Sequence, residues 1–174
     1  MIRRSMILAL ALASASAATS AQDLSAQDLS AQDLSAQDAG VQHPPYCAEL
    51  KRVAGLAMTQ ERFASIAGTP REGNFLNAIV ALPSWKDCSL YGSGTYTCDS
   101  QELATAEAAE KEQARILHQI KACLGDGWAE AADRSSPNYV VLHSAAWPIS
   151  ITLSTDQTDK KEHVVRLILF RRGN

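Results

Sequence analysis

The sequence predicts an α+β fold for residues 45–174. We expect a single domain in which an antiparallel sheet of five to six strands packs against one long helix, with a helical N-terminal segment and two disulfides. Three observations support this fold. Strand-like segments occur in neighbouring pairs joined by short turns, which favours antiparallel pairing. The longest helical pattern lies between two groups of strands, and the four cysteines allow two bonds.

The start of the chain has the three parts of a secretory signal peptide, which we predict over residues 1–21. Arg3 and Arg4 make its beginning positive, residues 6–13 are an uninterrupted apolar run, and small residues follow. The run is much shorter than the ~18 residues of a membrane span, so no membrane insertion is expected. The predicted location is periplasmic or secreted, in a compartment where disulfides form.

A pentapeptide repeat follows: SAQDL occurs three times from Ser20 and is followed by SAQD. A period of five matches neither a helix nor a strand, and each complete repeat has one large apolar side chain, a leucine. Such a segment buries too little surface to offset the entropy that it would lose on ordering. Residues 22–44 are therefore predicted to be a disordered linker.

The first part of the domain is predicted to be helical and then extended. Apolar residues at helical spacing predict a helix over residues 46–57, and Pro45 suits its beginning. Thr59 is predicted to cap a second, short helix that ends at Gly68. The apolar run at residues 75–82 then predicts a strand.

A β-hairpin is predicted around the Gly-Ser-Gly turn at residues 92–94, because glycine suits the positive φ of such turns. This turn pairs Tyr91 with Thr95 and, further along, Cys88 with Cys98. Opposed residues of antiparallel strands have Cα atoms roughly 4.5–5.5 Å apart, which a disulfide can span. The sequence therefore predicts a disulfide between Cys88 and Cys98.

The remaining two cysteines are predicted to form the second disulfide. Cys47 lies at the start of the first predicted helix, and Cys123 lies near the end of the longest one. A zinc site is the alternative for the four cysteines. The chain has no Cys-x-x-Cys and no pair of histidines at the spacing of zinc ligands, so we expect no metal.

The longest helix is predicted to begin after Asp99, which with Glu102 has the pattern of a capping box. Its apolar residues share one face as far as Leu124, and Gly125 is a helix-ending residue. Three further strands follow this helix. They are predicted at residues 139–144, 149–155 and 163–171. The last is apolar on both faces except at Arg166, so it is expected to lie centrally in the sheet.

Charge and composition exclude some classes of function. The whole chain has a formal net charge of −3, and the domain has no basic block or stripe, so no nucleic-acid partner is expected. The acidic residues at 156–162 lack the glycine and the alternating ligands of a calcium loop, and lysines interrupt them. No cofactor is expected.

A hydrolase is the enzymatic alternative. It would join His118 or His143 to Ser144 or Ser150 and a carboxylate. The chain lacks the Gly-x-Ser-x-Gly motif of a nucleophile elbow, and all four cysteines are predicted to be paired. We therefore expect no catalytic residue, and structural roles for these histidines.

Three aromatic residues in predicted turns are the candidate binding residues: Trp85, Tyr91 and Trp147. Aromatic side chains in such positions either cover the ends of a core or anchor a protein or glycan partner. The leading hypothesis is an exported small non-catalytic binding protein, in its sharper form an inhibitor or immunity-type partner of an extracytoplasmic hydrolase. The alternatives are a small extracytoplasmic hydrolase and a structural accessory of the cell envelope.

Overall fold

The computed structural model of the protein describes residues 43–92 and 94–173, which belong to one compact unit. The predicted signal peptide and nearly all of the predicted linker lie outside the described residues. In the part that is described, no helix is both long enough and apolar enough to cross a membrane.

The described strands form one antiparallel sheet, with the order β1-β2-β3-β4-β8-β7-β6-β5. The strands are β1 (Ala67–Pro70), β2 (Phe75–Ala78), β3 (Asp87–Tyr91), β4 (Thr95–Asp99), β5 (Trp128–Glu130), β6 (Tyr139–Ser144), β7 (Ile149–Gln157) and β8 (His163–Arg171). The sheet has eight strands, so the predicted five to six was wrong. The two missed strands, β1 and β5, are the edges, and strands of four and three residues are too short to show an alternating pattern.

Two α-helices pack on one face of this sheet, α1 (Cys47–Met58) and α2 (Ala106–Leu124). The predicted second helix was wrong in extent. Only Ala64–Ile66 is helical, as a single 3₁₀ turn, and the chain then enters β1. A hydrogen bond from Ile79 N to Ile66 O, 3.0 Å long, draws this turn to the end of β2. Pairing with β2 therefore replaces the helix that the local sequence favours.

The start of α2 also differs from the prediction. Its N-cap is Thr105, whose Oγ1 accepts a hydrogen bond of 3.1 Å from Ala108 N. Asp99, the predicted cap, instead ends β4 opposite Arg166. The next residues continue to bond to β8, through Ser100 N to Val165 O at 2.9 Å. Strand pairing thus extends past the capping box, and the N-cap lies six residues later than predicted, at Thr105 instead of Asp99.

Two disulfides join the elements. The β3–β4 hairpin has the predicted register, with Cys88 opposite Cys98, and these two cysteines are bonded. The second disulfide joins Cys47 at the start of α1 to Cys123 near the end of α2. Both bonds lie in the core between the helices and the sheet. The core also contains the buried stripe of α1 and the inward side chains of the central strands, among them Leu50, Val53, Tyr96, Ile151 and Leu167.

In the described part of the chain no α-helix packs on the opposite face of the sheet, which is called here the open face. Its side chains follow from the register, since alternate residues of a strand point to the same side. One row crosses the sheet from Ser89 through Thr97 and Ile168 to Thr152. Three of these four side chains carry a hydroxyl group. The centre of the open face is therefore polar, whereas the other face of the sheet is covered by the hydrophobic core.

Candidate functional site

A groove in the open face is the candidate binding site. It encloses about 650 Å³ and is lined by β2, β3, β4, β8 and the turn between β1 and β2. Ligand sites commonly occupy concavities of about 300–1,000 Å³, so the groove has room for a small ligand or a segment of a larger one.

Phe75 and Tyr91 form the aromatic end of the groove. They are directly opposed on β2 and β3, and their ring centroids are 5.2 Å apart. The pair stays open to solvent, because Phe75 is 40% exposed and Tyr91 is 51% exposed. Two exposed rings held against each other give a rigid apolar surface with one phenol group at its edge.

Two arginine–carboxylate pairs form the other, charged end. Arg71 donates to both oxygens of Asp87, at 2.8 and 3.1 Å, and Arg166 donates to both oxygens of Asp99, at 2.7 and 2.9 Å. Arg166 also lies 3.2 Å from Asp156. These bonds fix the orientation of the carboxylates, and each carboxylate oxygen keeps a lone pair that can accept from a ligand.

The two arginines remain charged at any physiological pH. The hydrogen bond to Asp87 raises the pKa of the Arg71 guanidinium, and the hydrogen bond to Asp99 raises the pKa of Arg166, although its burial acts in the opposite direction. The two guanidinium groups therefore act as fixed positive charges at this end of the groove.

Hydroxyl groups form the floor between the two ends. Ser89, Thr95 and Thr97 all line the groove. Thr97 Oγ1 is buried and has no hydrogen-bond partner among the described residues. A buried hydroxyl without a partner is unusual in a folded protein, and a polar ligand in the groove would supply one.

The three aromatic residues predicted as binding residues lie in different environments. Tyr91 lines the groove. Trp85 is 8% exposed and packs edge-on against Tyr46 at 6.2 Å, so it belongs to the core. Trp147 is exposed in the turn between β6 and β7, where it packs on Trp128. Of the three, the structure therefore brings only Tyr91 to the groove.

The residues of the hydrolase alternative are separated or buried. His143 lies opposite Ser150 on the open face, but Ser150 is buried, and His143 Nε2 bonds to no described residue. The Ser144 hydroxyl accepts from the backbone of the following turn, at 3.2 Å from both Ala146 N and Trp147 N. His118 is exposed on α2, across the sheet from His143. This arrangement provides no aligned nucleophile and base.

One cluster of potential metal ligands contains two cysteines that are already bonded to each other. Within residues 43–92 and 94–173, one group of three potential ligands lies close together, namely His43, Cys47 and Cys123. Both sulfur atoms of this group form the disulfide between the helices. Because zinc binds thiolate sulfur, His43 alone remains as a ligand there.

Sequence reasoning missed most of the groove: Arg71, Phe75, Asp87, Asp99 and Arg166. One of these residues carried a signal, because Arg166 is the charged exception in an otherwise apolar strand. A central arginine on a two-faced strand indicates a buried or half-buried acidic partner. The partner itself, Asp99, is 67 positions away and had been assigned to a helix cap.

Comparison with known proteins identifies no relative, so the function has to be inferred from the geometry of the groove. The chain matches no protein-family model, no curated protein and no solved structure.

Proposed function

We propose that the protein is an exported, non-catalytic binding protein, periplasmic or secreted, that holds a short glycan segment in the groove of the open face. The observation that carries the proposal is the joining of an exposed aromatic pair, Phe75 and Tyr91, to fixed carboxylates in one concavity. The two disulfides indicate an oxidising compartment, in agreement with an exported protein.

A sugar ring matches both ends of the groove. Its C–H face packs on an aromatic ring, and its hydroxyl groups donate to carboxylates and accept from guanidinium groups. Most charges of the groove are paired, since Arg71 bonds to Asp87 and Arg166 bonds to Asp99, and Glu72 and Asp156 add an acidic excess of two. This pairing favours an uncharged ligand that forms many hydrogen bonds over a strongly ionic one.

The experiment is a glycan-array screen of the exported protein, followed by calorimetry on the best oligosaccharide with two matched variants. Tyr91→Ala removes the exposed ring in the groove. Tyr139→Ala removes a tyrosine of comparable exposure, 42% against 51%, from β6, outside the groove. We expect Tyr91→Ala to weaken binding about thirtyfold, which corresponds to ~2 kcal/mol, with little change in Tm. Tyr139→Ala should bind like the wild type.

An equal loss in both variants, or no glycan bound at all, would contradict the glycan assignment. A protein partner of the inhibitor or immunity type is the second candidate, and one observation favours it. Ile79, which follows β2 next to the groove, is 67% exposed. A protein surface would cover this side chain, whereas a ligand inside the groove would not reach it. Capture of an envelope protein that is lost with Ile79→Ser would therefore favour the protein partner.

A further inference from the structure

A second concavity lies next to the groove on the open face. It encloses about 620 Å³ and is lined by Arg134, His143, Phe170 and Arg172, among others. Phe170 separates the two, because it is opposite Thr95 of the groove on one side and opposite Ser150 on the other. The second concavity is thus separate from the groove and lies beyond Phe170 on the same face.

Two buried nitrogen atoms in this concavity lack partners. Arg172 Nε and His143 Nε2 are both shielded from solvent, and neither bonds to any residue that the structure describes. The Arg172 guanidinium is nevertheless held in place, since its Nη2 donates to Ser144 O at 2.8 Å and to Trp147 O at 3.0 Å. A buried N–H that stays unpaired costs free energy, so the fold maintains an unused donor here at a cost.

The charge around these atoms is positive. Among the described residues, Arg134 and Arg172 line the concavity together with one acidic residue, Asp133, whose carboxylate lies 3.7 Å from the Arg134 guanidinium at the exposed rim. Burial lowers the pKa of His143. The charges of Arg172 and Arg134 lower this pKa further, and Asp133 opposes them. A protonated imidazole would therefore face two cations that Asp133 opposes, and a bound anion would stabilise it further.

We propose that Arg134, His143 and Arg172 bind an oxyanion group, such as the sulfate or phosphate group of a ligand. Two guanidinium groups on separate side chains, joined by the imidazole N–H groups when His143 is protonated, suit a tetrahedral oxyanion, which accepts hydrogen bonds from several directions. A bound anion would accept a hydrogen bond from Arg172 Nε and would also neutralise part of the positive charge of Arg134 and Arg172. The site does not depend on the groove ligand, which is expected to be uncharged.

The test uses the exported protein and inorganic sulfate, whose charge is constant over the pH range in which histidine titrates. Sodium sulfate is titrated at fixed ionic strength against sodium chloride and sodium acetate, and the imidazole of His143 and the Nε–H of Arg172 are followed by NMR. We expect a saturable shift with sulfate, a weaker response to acetate and none that is specific to chloride. A response common to all three salts would overturn the proposal.

Arg134→Gln is the variant of choice because Arg134 is exposed, so its replacement spares the fold. We expect it to weaken sulfate binding about tenfold, as for loss of one charge-assisted hydrogen bond. Arg52→Gln, which removes an exposed arginine from α1 on the other side of the sheet, is the control with the same charge change. Equal affinity in Arg134→Gln and the wild type would overturn the proposal.

Acidification gives an independent readout. As the pH falls through the lowered pKa of His143, the imidazole becomes protonated and adds a positive charge beside Arg134 and Arg172, which Asp133 opposes. Sulfate binding should tighten as the pH passes down through the lowered pKa of His143, and bound sulfate should raise that pKa. In His143→Gln the site should still bind sulfate but without this pH dependence, and an unchanged pH dependence would refute the role of His143.

Discussion

Arg166 shows how a single side chain organises one end of the groove. It interrupts the apolar pattern of β8, and its guanidinium joins Asp99 of the neighbouring strand to Asp156 of the other neighbour. The three side chains are partly exposed, so the ion pairs contribute little net stability. Their main effect is geometric, because a bidentate pair holds the Asp99 carboxylate at one orientation on the open face.

Thr105 is the residue on which the start of α2 depends, because its hydroxyl accepts from Ala108 N and satisfies one of the free N–H groups of the first turn. We predict that Thr105→Ala lowers the free energy of unfolding by about 1 kcal/mol, measured by urea denaturation. Thr105→Ser keeps the accepting oxygen and should be close to the wild type. If Thr105→Ala were as stable as Thr105→Ser, this N-cap would be assigned wrongly.

At the scale of elements, the contact between β1 and β2 is unusually close. A Cβ added at Gly68 would lie 2.8 Å from the carbonyl oxygen of Asn77 and 3.0 Å from Ile79 Cγ2. The backbone of β1 therefore approaches β2 only because residue 68 has no side chain. This close approach, together with the bond from Ile79 N to Ile66 O, fixes the edge of the sheet next to the groove.

Two glycine substitutions test this packing, and they should change the free energy of unfolding in opposite directions. Gly68→Ala is expected to destabilise the protein by about 1–3 kcal/mol, because the methyl group meets backbone atoms. Gly55→Ala, in the interior of α1, places a methyl group where, apart from its chain neighbours and the backbone of α1 itself, no described atom lies within 4 Å. It should stabilise the protein by about 0.5–1 kcal/mol, through helix propensity. The measurement is the denaturant midpoint of each variant. A Gly68→Ala protein as stable as the wild type would contradict the close approach of β1 to β2.

Elements with strong local signals could be predicted from the sequence. The Gly-Ser-Gly turn was sufficient for the register of the hairpin, because the pairing of Cys88 with Cys98 follows from counting outward. Three strands and most of α2 followed from periodicity. The start of α2 did not, because bonds from Ser100 and Leu103 to β8 compete with the capping box and depend on residues 60 or more positions later.

The groove could not be predicted for the same physical reason. Its two ion pairs join residues 16 and 67 positions apart, and its aromatic pair joins β2 to β3. Tyr91 was identified because a turn exposes it locally. Phe75 was placed only in an apolar run, and its 40% exposure depends on which strands cover it.

For the molecule as a whole, the disulfides connect the fold to its compartment. Cys47–Cys123 ties the two helices together, and Cys88–Cys98 ties β3 to β4 within the sheet, so each layer has one covalent bond. In the chain-entropy model a longer closed loop restricts the unfolded chain more. The bond spanning 76 positions should therefore stabilise the protein more than the bond spanning 10.

Removal of each bond should be measurable separately. We predict that the double variant Cys47→Ser/Cys123→Ser loses about 4.5 kcal/mol of unfolding free energy, and Cys88→Ser/Cys98→Ser about 2.7 kcal/mol. Both losses together approach the ~5–15 kcal/mol that stabilises an ordinary domain, so the reduced protein should be only marginally folded.

The measurement is thermal and urea unfolding with and without dithiothreitol, with thiol titration to show that reduction is complete. The variant without cysteines is the control, since reductant should not affect it. A wild-type protein that keeps its Tm after complete reduction would show that the fold does not need an oxidising compartment.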